Sequence, residues 1–260
     1  QMGELNRHLQ NQWARLLLAV PEQDGAPREK IYEDGQMVLY RYDAPTPATA
    51  VREPLLIVYA LVNKPYMLDL SPDKSFIRGL LRQGLDVYLT EWKDPSGMAA
   101  QPTLSDYILG SVKNGVATVS RQHQERPIHL MGICQGGTFS LMYTALYPET
   151  VKNLLTVVTP LDFHAGDNIF THLSQYCDTK KISELLPTLP GDFLNLGFLQ
   201  LKPFELLIAK YLGMVEIWDD PNKRDFFMRM EKWIYDGQSL SGPAWHTFIA
   251  DCYQQNKLVA

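Results

Sequence analysis

A cysteine with glycines on both sides constrains this chain more than any other feature. It lies in Gly132-Ile133-Cys134-Gln135-Gly136-Gly137. Residues 127–130 before it are apolar, as in a buried strand, and the pattern of residues 138–147 suits a helix. A strand, a tight turn and a helix make up a nucleophile elbow, where glycines two positions from the nucleophile occupy space in which strand and helix nearly touch. The sequence therefore predicts that Cys134 is an elbow nucleophile and that Gly132, Gly136 and Gly137 are the elbow glycines.

The chemistry of this cysteine follows from its predicted place at the start of a helix. The positive end of the helix dipole and free backbone N–H groups favour a thiolate, so we expect a lowered pKa and a reactive thiol. The alternative is a buried cysteine that acts as a small apolar side chain. The glycines and the flanking elements together favour the reactive cysteine.

Strand and helix patterns alternate on both sides of the elbow. Strands are predicted at 37–42 (an outer strand), 55–60, 85–90 and 154–159, and helices at 71–83, capped by Ser71, and 104–123, begun by Thr103. This order indicates right-handed βαβ units and a mostly parallel sheet. An amphipathic helix at 3–19 and a charged, turn-rich stretch at 20–35 precede the sheet. The fold class is therefore α/β.

The chain divides into four predicted regions. Residues 1–30 form an amino-terminal helix and linker, 31–160 the α/β core with the elbow, 161–235 a helical cap insertion, and 236–260 the start of the return to the core. The cap region is rich in aromatic residues and interrupted by prolines. Those aromatic side chains are either ordinary core or the water-excluding lining of an apolar channel above the sheet.

Composition narrows the classes of partner. The 260 residues are 45% hydrophobic and 20% charged, which is ordinary for a soluble globular protein. Their net charge of −5 disfavours nucleic acid and anionic lipid as partners. The three cysteines lack metal-ligand spacing and suggest a reducing compartment. Without a membrane-span pattern or a signal peptide, we expect a cytoplasmic protein. The start at Gln1 suggests a piece of a longer chain.

Seven short motifs follow one another along the chain: Leu39-Tyr40-Arg41-Tyr42, residues 54–66, residues 132–137, Val151-Lys152-Asn153-Leu154, Thr159-Pro160-Leu161-Asp162-Phe163, Leu201-Lys202-Pro203-Phe204 and Met230-Glu231-Lys232-Trp233-Ile234. Together, in this order, they resemble the catalytic subunit of class III polyhydroxyalkanoate synthases. The resemblance implies an α/β-hydrolase fold and polymerisation of (R)-3-hydroxyacyl-CoA, chiefly 3-hydroxybutyryl-CoA, into polyester. It also implies a non-catalytic partner subunit (PhaE), a homo- or hetero-oligomer, and a location at polyester granules. No bound cofactor or metal is implied, because the substrate carries the CoA that is released.

The resemblance assigns the reacting groups. Cys134 attacks the acyl-CoA carbonyl to give a covalent thioester, and the hydroxyl of a second unit then attacks that thioester. Backbone N–H groups of Gln135 and of Val62, in the loop after the 55–60 strand, form the expected oxyanion hole.

One departure from the family pattern concerns the partners of the cysteine. The family carries an aspartate and a Gly-Gly-His histidine beyond the segment matching residues 253–258, and neither motif occurs in this sequence. We therefore expect an amino-terminal fragment, without the last core strands and inactive by itself.

A substitute pair of Asp162 and His164 is conceivable, although two residues on one loop are poorly placed to orient each other. Two other functions stay open: a cysteine hydrolase or thioesterase of the same fold, and a non-catalytic module that binds a granule or partner.

Overall fold

The computed structural model describes residues 25–43, 52–166, 169–199, 202 and 204–259. The predicted helix at 3–19 lies outside the described residues. No helix in the described part of the chain is long and apolar enough to cross a bilayer.

A six-stranded sheet forms the centre of the described structure, in the order β1-β2-β6-β3-β7-β8. β2 pairs antiparallel with β1 and β6, whereas the β6–β3, β3–β7 and β7–β8 pairs are parallel. Two short antiparallel pairs, β4–β5 and β9–β10, lie outside this sheet. The strands are β1 (Arg28–Glu33), β2 (Met37–Tyr42), β3 (Glu53–Val58), β4 (Asp69–Ser71), β5 (Lys74–Ser75), β6 (Leu85–Trp92), β7 (Ile128–Ile133), β8 (Val151–Val157), β9 (Thr188–Leu189) and β10 (Leu240–Ser241).

Nine α-helices are described, three beside the sheet and six after β8. They are α1 (Phe76–Arg82), α2 (Lys113–Gln122), α3 (Gln135–Leu146), α4 (Ile169–Gln175), α5 (Thr179–Leu185), α6 (Gly191–Leu199), α7 (Lys210–Ile217), α8 (Pro221–Tyr235) and α9 (Gly242–Phe248). Short π-helical turns at Asp106–Val112, Glu205–Ala209 and Ile249–Gln254 extend α2, α7 and α9. Short 3-10 turns occur at Pro65–Leu68, Pro95–Gly97 and Pro148–Thr150.

Both faces of the sheet are covered, which explains the continuous apolar run of β3. Leu55 and Ile57 pack in one core with Ile77 and Leu81 of α1. Leu56 and Val58 face the other core, which holds side chains of α2 and α3, among them Val116, Val119, Phe139 and Tyr143. A strand buried on both faces needs apolar residues at every position. The α/β fold predicted from the strand and helix order is confirmed.

Two predicted boundaries are wrong for identifiable reasons. Residues 28–33, interpreted as part of a charged, turn-rich stretch, form the edge strand β1, so β2 is not the outer strand. The helix predicted from Ser71 begins later, because the chain first forms the β4–β5 turn and Ser75 then caps α1 by accepting the Arg78 N–H. The start of the next helix is confirmed: Thr103 and Asp106 exchange two backbone-to-side-chain hydrogen bonds of 2.8 and 3.2 Å.

β8 is the other edge of the described sheet. Its residues are mostly exposed, including the apolar Leu155 and Val157 at 40% and 38%. Val158 follows β8 with a φ of 46°, and the loop beyond it leads into the helices α4 to α8.

Candidate active site

Cys134 occupies the turn between β7 and α3. Its φ of 55° and ψ of −127° lie in a region that non-glycine residues rarely adopt, at a cost of about 1–3 kcal/mol. The turn is fixed by a hydrogen bond from the Cys134 N–H to the Val157 carbonyl, at 2.9 Å, and by one from the Gly137 N–H to the Cys134 carbonyl, also 2.9 Å. This strained strand-to-helix turn has the geometry of a nucleophile elbow.

The three predicted elbow glycines lie where no side chain fits. A Cβ on Gly132 would lie 2.3 Å from the Gly137 Cα, and one on Gly136 would lie 2.2 Å from the Val58 carbonyl oxygen. A Cβ on Gly137 would lie 1.9 Å from the Thr159 Oγ1. The elbow helix therefore approaches β3 at backbone distance, and the Thr159 side chain fills the space beside Gly137.

Gln135, the first residue of α3, connects the elbow to the loop after β3. Its buried side-chain Oε1 accepts the Leu61 N–H at 3.1 Å. Val62, the next residue of that loop, lines one cavity together with Cys134 and Gln135. The structure thus brings together the three residues to which the sequence assigned the nucleophile and the oxyanion hole.

The cavity beside Cys134 has a volume of about 420 Å³ and mostly apolar walls. Residues of α4 and α6 form one side, and residues of α9 and the following π-helical turn form another. Among the described residues that line it there is no histidine, aspartate or glutamate. The lining comprises Val62, Cys134, Gln135, Pro160, Phe170, Phe193, Leu194, Gly197, Phe198, Leu240, Trp245, Phe248, Ile249 and Tyr253.

Comparison with known proteins identifies the family. The chain matches the family model of the alpha/beta hydrolase fold over residues 53–240 and that of the poly-beta-hydroxybutyrate polymerase (PhaC) N-terminus over residues 25–80. The poly(3-hydroxyalkanoate) polymerase subunit PhaC of Allochromatium vinosum is 44% identical over 98% of this chain and 73% of its own length. This chain belongs to the PhaC family. The resemblance to synthase catalytic subunits is confirmed at that level.

Two further comparisons define how far the likeness extends. The PhaC subunit of Thiocystis violacea is 45% identical over 90% of this chain, and the match covers 66% of its own length, just under two thirds. The putative lipase of Sulfolobus solfataricus aligns with a TM-score of 0.51 at 14% sequence identity, over 85% of this chain and 79% of that one. The latter likeness concerns the fold alone and agrees with the α/β-hydrolase assignment.

The expected low pKa of the Cys134 thiol is wrong. Burial raises this pKa above its ordinary value, and the Gln135 backbone N–H lowers it by less. Cys134 is exposed toward the cavity, but the mostly apolar walls of that cavity solvate a thiolate less well than water does. The helix N-terminus therefore does not offset the effect of burial on the pKa of this thiol.

We expect alkylation of Cys134 by iodoacetamide to accelerate with pH, with a midpoint above the value of about 8.5 for a solvated thiol. A raised pKa keeps the thiol protonated at neutral pH, so the reactive thiolate appears only as the pH rises through the folded-state pKa. Mass spectrometry of the Cys134 peptide across a pH series measures this, with the urea-unfolded chain as control. A folded-state midpoint below that of the unfolded chain would contradict the expectation.

Asp162 and His164 do not form the conceivable substitute pair. The His164 Nε2 lies 2.9 Å from the Tyr253 carbonyl oxygen, and the Asp162 carboxylate accepts the backbone N–H of His164 at 3.1 Å rather than a ring N–H. The Asn256 side chain also donates to Asp162, at 2.8 Å, and is the main reason that the pKa of Asp162 is lowered. Both residues therefore fix the loop after β8.

The remaining histidines have other surroundings. His172 lies on α4, and His8 lies outside the described residues. The His123 side chain is mostly buried, with 12% exposed. The ring contacts are His129 with Asn153 at 3.0 Å, His123 with Asp86 at 3.0 Å and His246 with Thr179 at 2.8 Å.

Sequence reasoning missed the carboxyl-terminal wall of the cavity. Trp245, Phe248, Ile249 and Tyr253 face it from α9 and the Ile249–Gln254 turn. Their spacing of three, four and eight residues from Trp245 is that of one helix face, so an apolar stripe was present as a signal. Nothing in the stripe itself indicated that it faces Cys134.

Proposed function

We propose that this chain is the catalytic part of a polyhydroxyalkanoate synthase, which polymerises (R)-3-hydroxyacyl-CoA, chiefly 3-hydroxybutyryl-CoA, through a thioester on Cys134. One observation carries the proposal: a PhaC-family chain places a cysteine at an elbow that opens into an apolar cavity. The names of the relatives supply the polymer class, and the apolar cavity suits an acyl chain.

The first step transfers the acyl group to the enzyme. The Cys134 thiolate attacks the thioester carbonyl carbon, a new C–S bond forms, the bond to the CoA sulfur breaks, and CoA leaves as a thiolate that takes up a proton. Exchange of one thioester for another is nearly isoenergetic, so the acyl group remains activated. A serine ester would lose part of that driving force, which gives a reason for cysteine at this elbow.

Negative charge develops on the carbonyl oxygen during this attack. The backbone N–H groups of Gln135 and Val62 are the proposed donors to it, since both residues line the cavity that Cys134 faces. Loss of one such donor typically lowers the rate roughly 10²- to 10³-fold.

In the second step, the hydroxyl of another hydroxyacyl unit attacks the Cys134 thioester. An ester bond forms, the acyl C–S bond to Cys134 breaks, the hydroxyl proton passes to the released Cys134 thiolate, and the polymer grows by one unit. Water in the same place would release a free acid instead, so exclusion of water decides between polymer and hydrolysis. The phenylalanines of the cap, Phe170, Phe193 and Phe198, form an apolar wall that fits this requirement.

Deprotonation of Cys134 needs a base that the described residues do not place in the cavity. No histidine or carboxylate among them lines it, and burial raises the pKa of the thiol. We therefore propose that the 260-residue chain alone does not turn over, and that the base is the family's Gly-Gly-His histidine. Continuous CoA release by the 260-residue chain at neutral pH, lost in Cys134→Ala, would contradict this.

The test of the proposed function is an assay of the full-length protein with (R)-3-hydroxybutyryl-CoA, in which released CoA and the size of the product are measured together. Polymer is the expected product. CoA release with only monomeric hydroxy acid would reject the synthase in favour of a cysteine hydrolase. No release at all would favour a non-catalytic granule- or partner-binding module.

The proposed setting is the surface of polyester granules in the cytoplasm, in an oligomer with the non-catalytic subunit PhaE and without a bound cofactor. Large apolar side chains exposed on the cap, such as Phe204, Leu212 and Val215 at 65%, 64% and 70%, support contact with an apolar surface. Diffuse fluorescence of a tagged full-length protein in cells that contain granules would contradict this location.

A further inference from the structure

The loop at 61–64, which carries the proposed oxyanion donor Val62, is held from two directions. From the elbow, the Gln135 side chain accepts the Leu61 N–H at 3.1 Å. This contact fixes the start of the loop relative to Cys134, because Gln135 directly follows the cysteine.

The second set of contacts comes from the end of cap helix α8 and the segment that follows it. The Trp233 indole Nε1 donates to the Lys64 carbonyl at 2.8 Å. Asn63 forms an antiparallel bridge with Gly237, and the Gln238 N–H donates to the Val62 carbonyl at 3.3 Å. An ion pair of 2.6 Å joins the side chain of Lys64 to that of Asp236. Cap and oxyanion loop therefore share a continuous interface.

The same segment also contacts the helix that forms a wall of the cavity. Gly191, at the start of α6, packs so closely on Gly237 that a Cβ on Gly191 would lie 2.6 Å from the Gly237 carbonyl carbon. α6 also carries Phe193 and Phe198, which line the cavity beside Cys134. The contact between Gly191 and Gly237 thus connects α6, a wall of the cavity, to the segment that holds the oxyanion loop.

We propose that the Trp233 indole and the Gln135 side chain are positioning residues that aim the Val62 N–H at the reacting carbonyl oxygen, so that the oxyanion hole depends on the seating of α8. This inference rests on the proposed function. An oxyanion donor must lie about 2.7–3.1 Å from the developing charge. A displacement of about 1 Å can lower a rate on the order of 10²-fold.

The main test is Trp233→Phe in the full-length protein, which keeps an aromatic ring and removes the N–H that donates to Lys64. The initial burst of CoA from 3-hydroxybutyryl-CoA should slow by about 10- to 100-fold. The KM and the pH dependence should not change, because neither acyl-chain binding nor the base is altered. The matched control is Trp218→Phe, since Trp218 packs against Arg224 elsewhere in the cap; it should retain the wild-type burst rate.

A double-mutant cycle with Val62→Pro, which removes the backbone donor, separates positioning from general damage to the cap. The effect of Trp233→Phe should disappear in the Val62→Pro background, because no donor remains to be aimed. Full additivity would overturn the inference. If Val62→Pro does not fold, the single variant decides: a burst within twofold of wild type, or a raised KM at unchanged kcat, overturns it.

The same experiment distinguishes this inference from the proposed function. A wild-type burst that Cys134→Ala abolishes, with polymer as the product, supports the proposed function whatever Trp233→Phe does. If that burst is present and Trp233→Phe leaves it unchanged, the positioning role alone fails. If the wild-type protein shows no burst, the proposed function fails, and the positioning role fails with it.

Discussion

Replacement of Cys134 by alanine is expected to abolish release of CoA from 3-hydroxybutyryl-CoA by the full-length protein, a loss on the order of 10⁶-fold in kcat. The reason is the absence of any other nucleophile at the elbow. Gln135 and Val62 are the proposed oxyanion donors, and apart from Cys134 itself and the Tyr253 hydroxyl the other described side chains of the lining carry no oxygen or sulfur nucleophile. Binding and the oxyanion donors would remain, but no covalent intermediate would form.

The matched control for this prediction is Cys177→Ala, because Cys177 is the other partly accessible cysteine and lies in the cap outside the lining of the cavity. It should retain the wild-type rate. Cys134→Ser tests the role of the thioester. Its acyl ester should accumulate, because an ester is less activated than a thioester, and intact-protein mass spectrometry should detect it. CoA release that persists in Cys134→Ala would contradict the assignment of the nucleophile.

Features of the fold that depend on neighbouring residues in the sequence were predicted correctly. The apolar run of β3, the glycines around Cys134 and the cap at Thr103 act through neighbouring residues or through steric space within one turn. β1 was missed because its residues are mostly charged and exposed. Long-range contacts stabilise it: Arg28 lies over the Tyr40 ring, at 3.8 Å from the centroid, and pairs with Glu91 at 2.9 Å.

The sequence was sufficient to predict the position of the candidate site but not the direction in which the pKa of Cys134 is shifted. The elbow motif gave the place of Cys134, yet the direction of its pKa shift depends on how much water the surrounding protein excludes. Part of that packing comes from Phe248 and Tyr253, more than 100 residues away in the chain. The hydrogen bond between Gln135 and Leu61 is similarly long-range. Such contacts follow from the folded arrangement and not from a local pattern.

Replacement of Gly136 by alanine is expected to destabilise the fold by about 3 kcal/mol or more. The added Cβ would lie 2.2 Å from the carbonyl oxygen of Val58 and 2.7 Å from that of Tyr59. These are backbone atoms at the end of the buried central strand β3, which cannot move aside as a flexible side chain can. A loss of this size is a large fraction of the 5–15 kcal/mol that stabilise a typical protein.

Helix propensity alone favours alanine over glycine by about 0.8–1 kcal/mol, so it would make Gly136→Ala more stable than the wild type. A loss of stability in this variant can therefore be attributed to the steric clash with β3. Gly79 on α1 is the matched control: among the described residues, no atom outside the local backbone of its own helix lies within 4 Å of its added Cβ, so Gly79→Ala should be neutral or slightly stabilising. Urea unfolding of the wild type, Gly136→Ala and Gly79→Ala, followed by circular dichroism, compares their free energies of unfolding. Should Gly136→Ala unfold at the same urea concentration as Gly79→Ala, α3 would not approach β3 at backbone distance, and the elbow geometry assigned to Cys134 would be wrong.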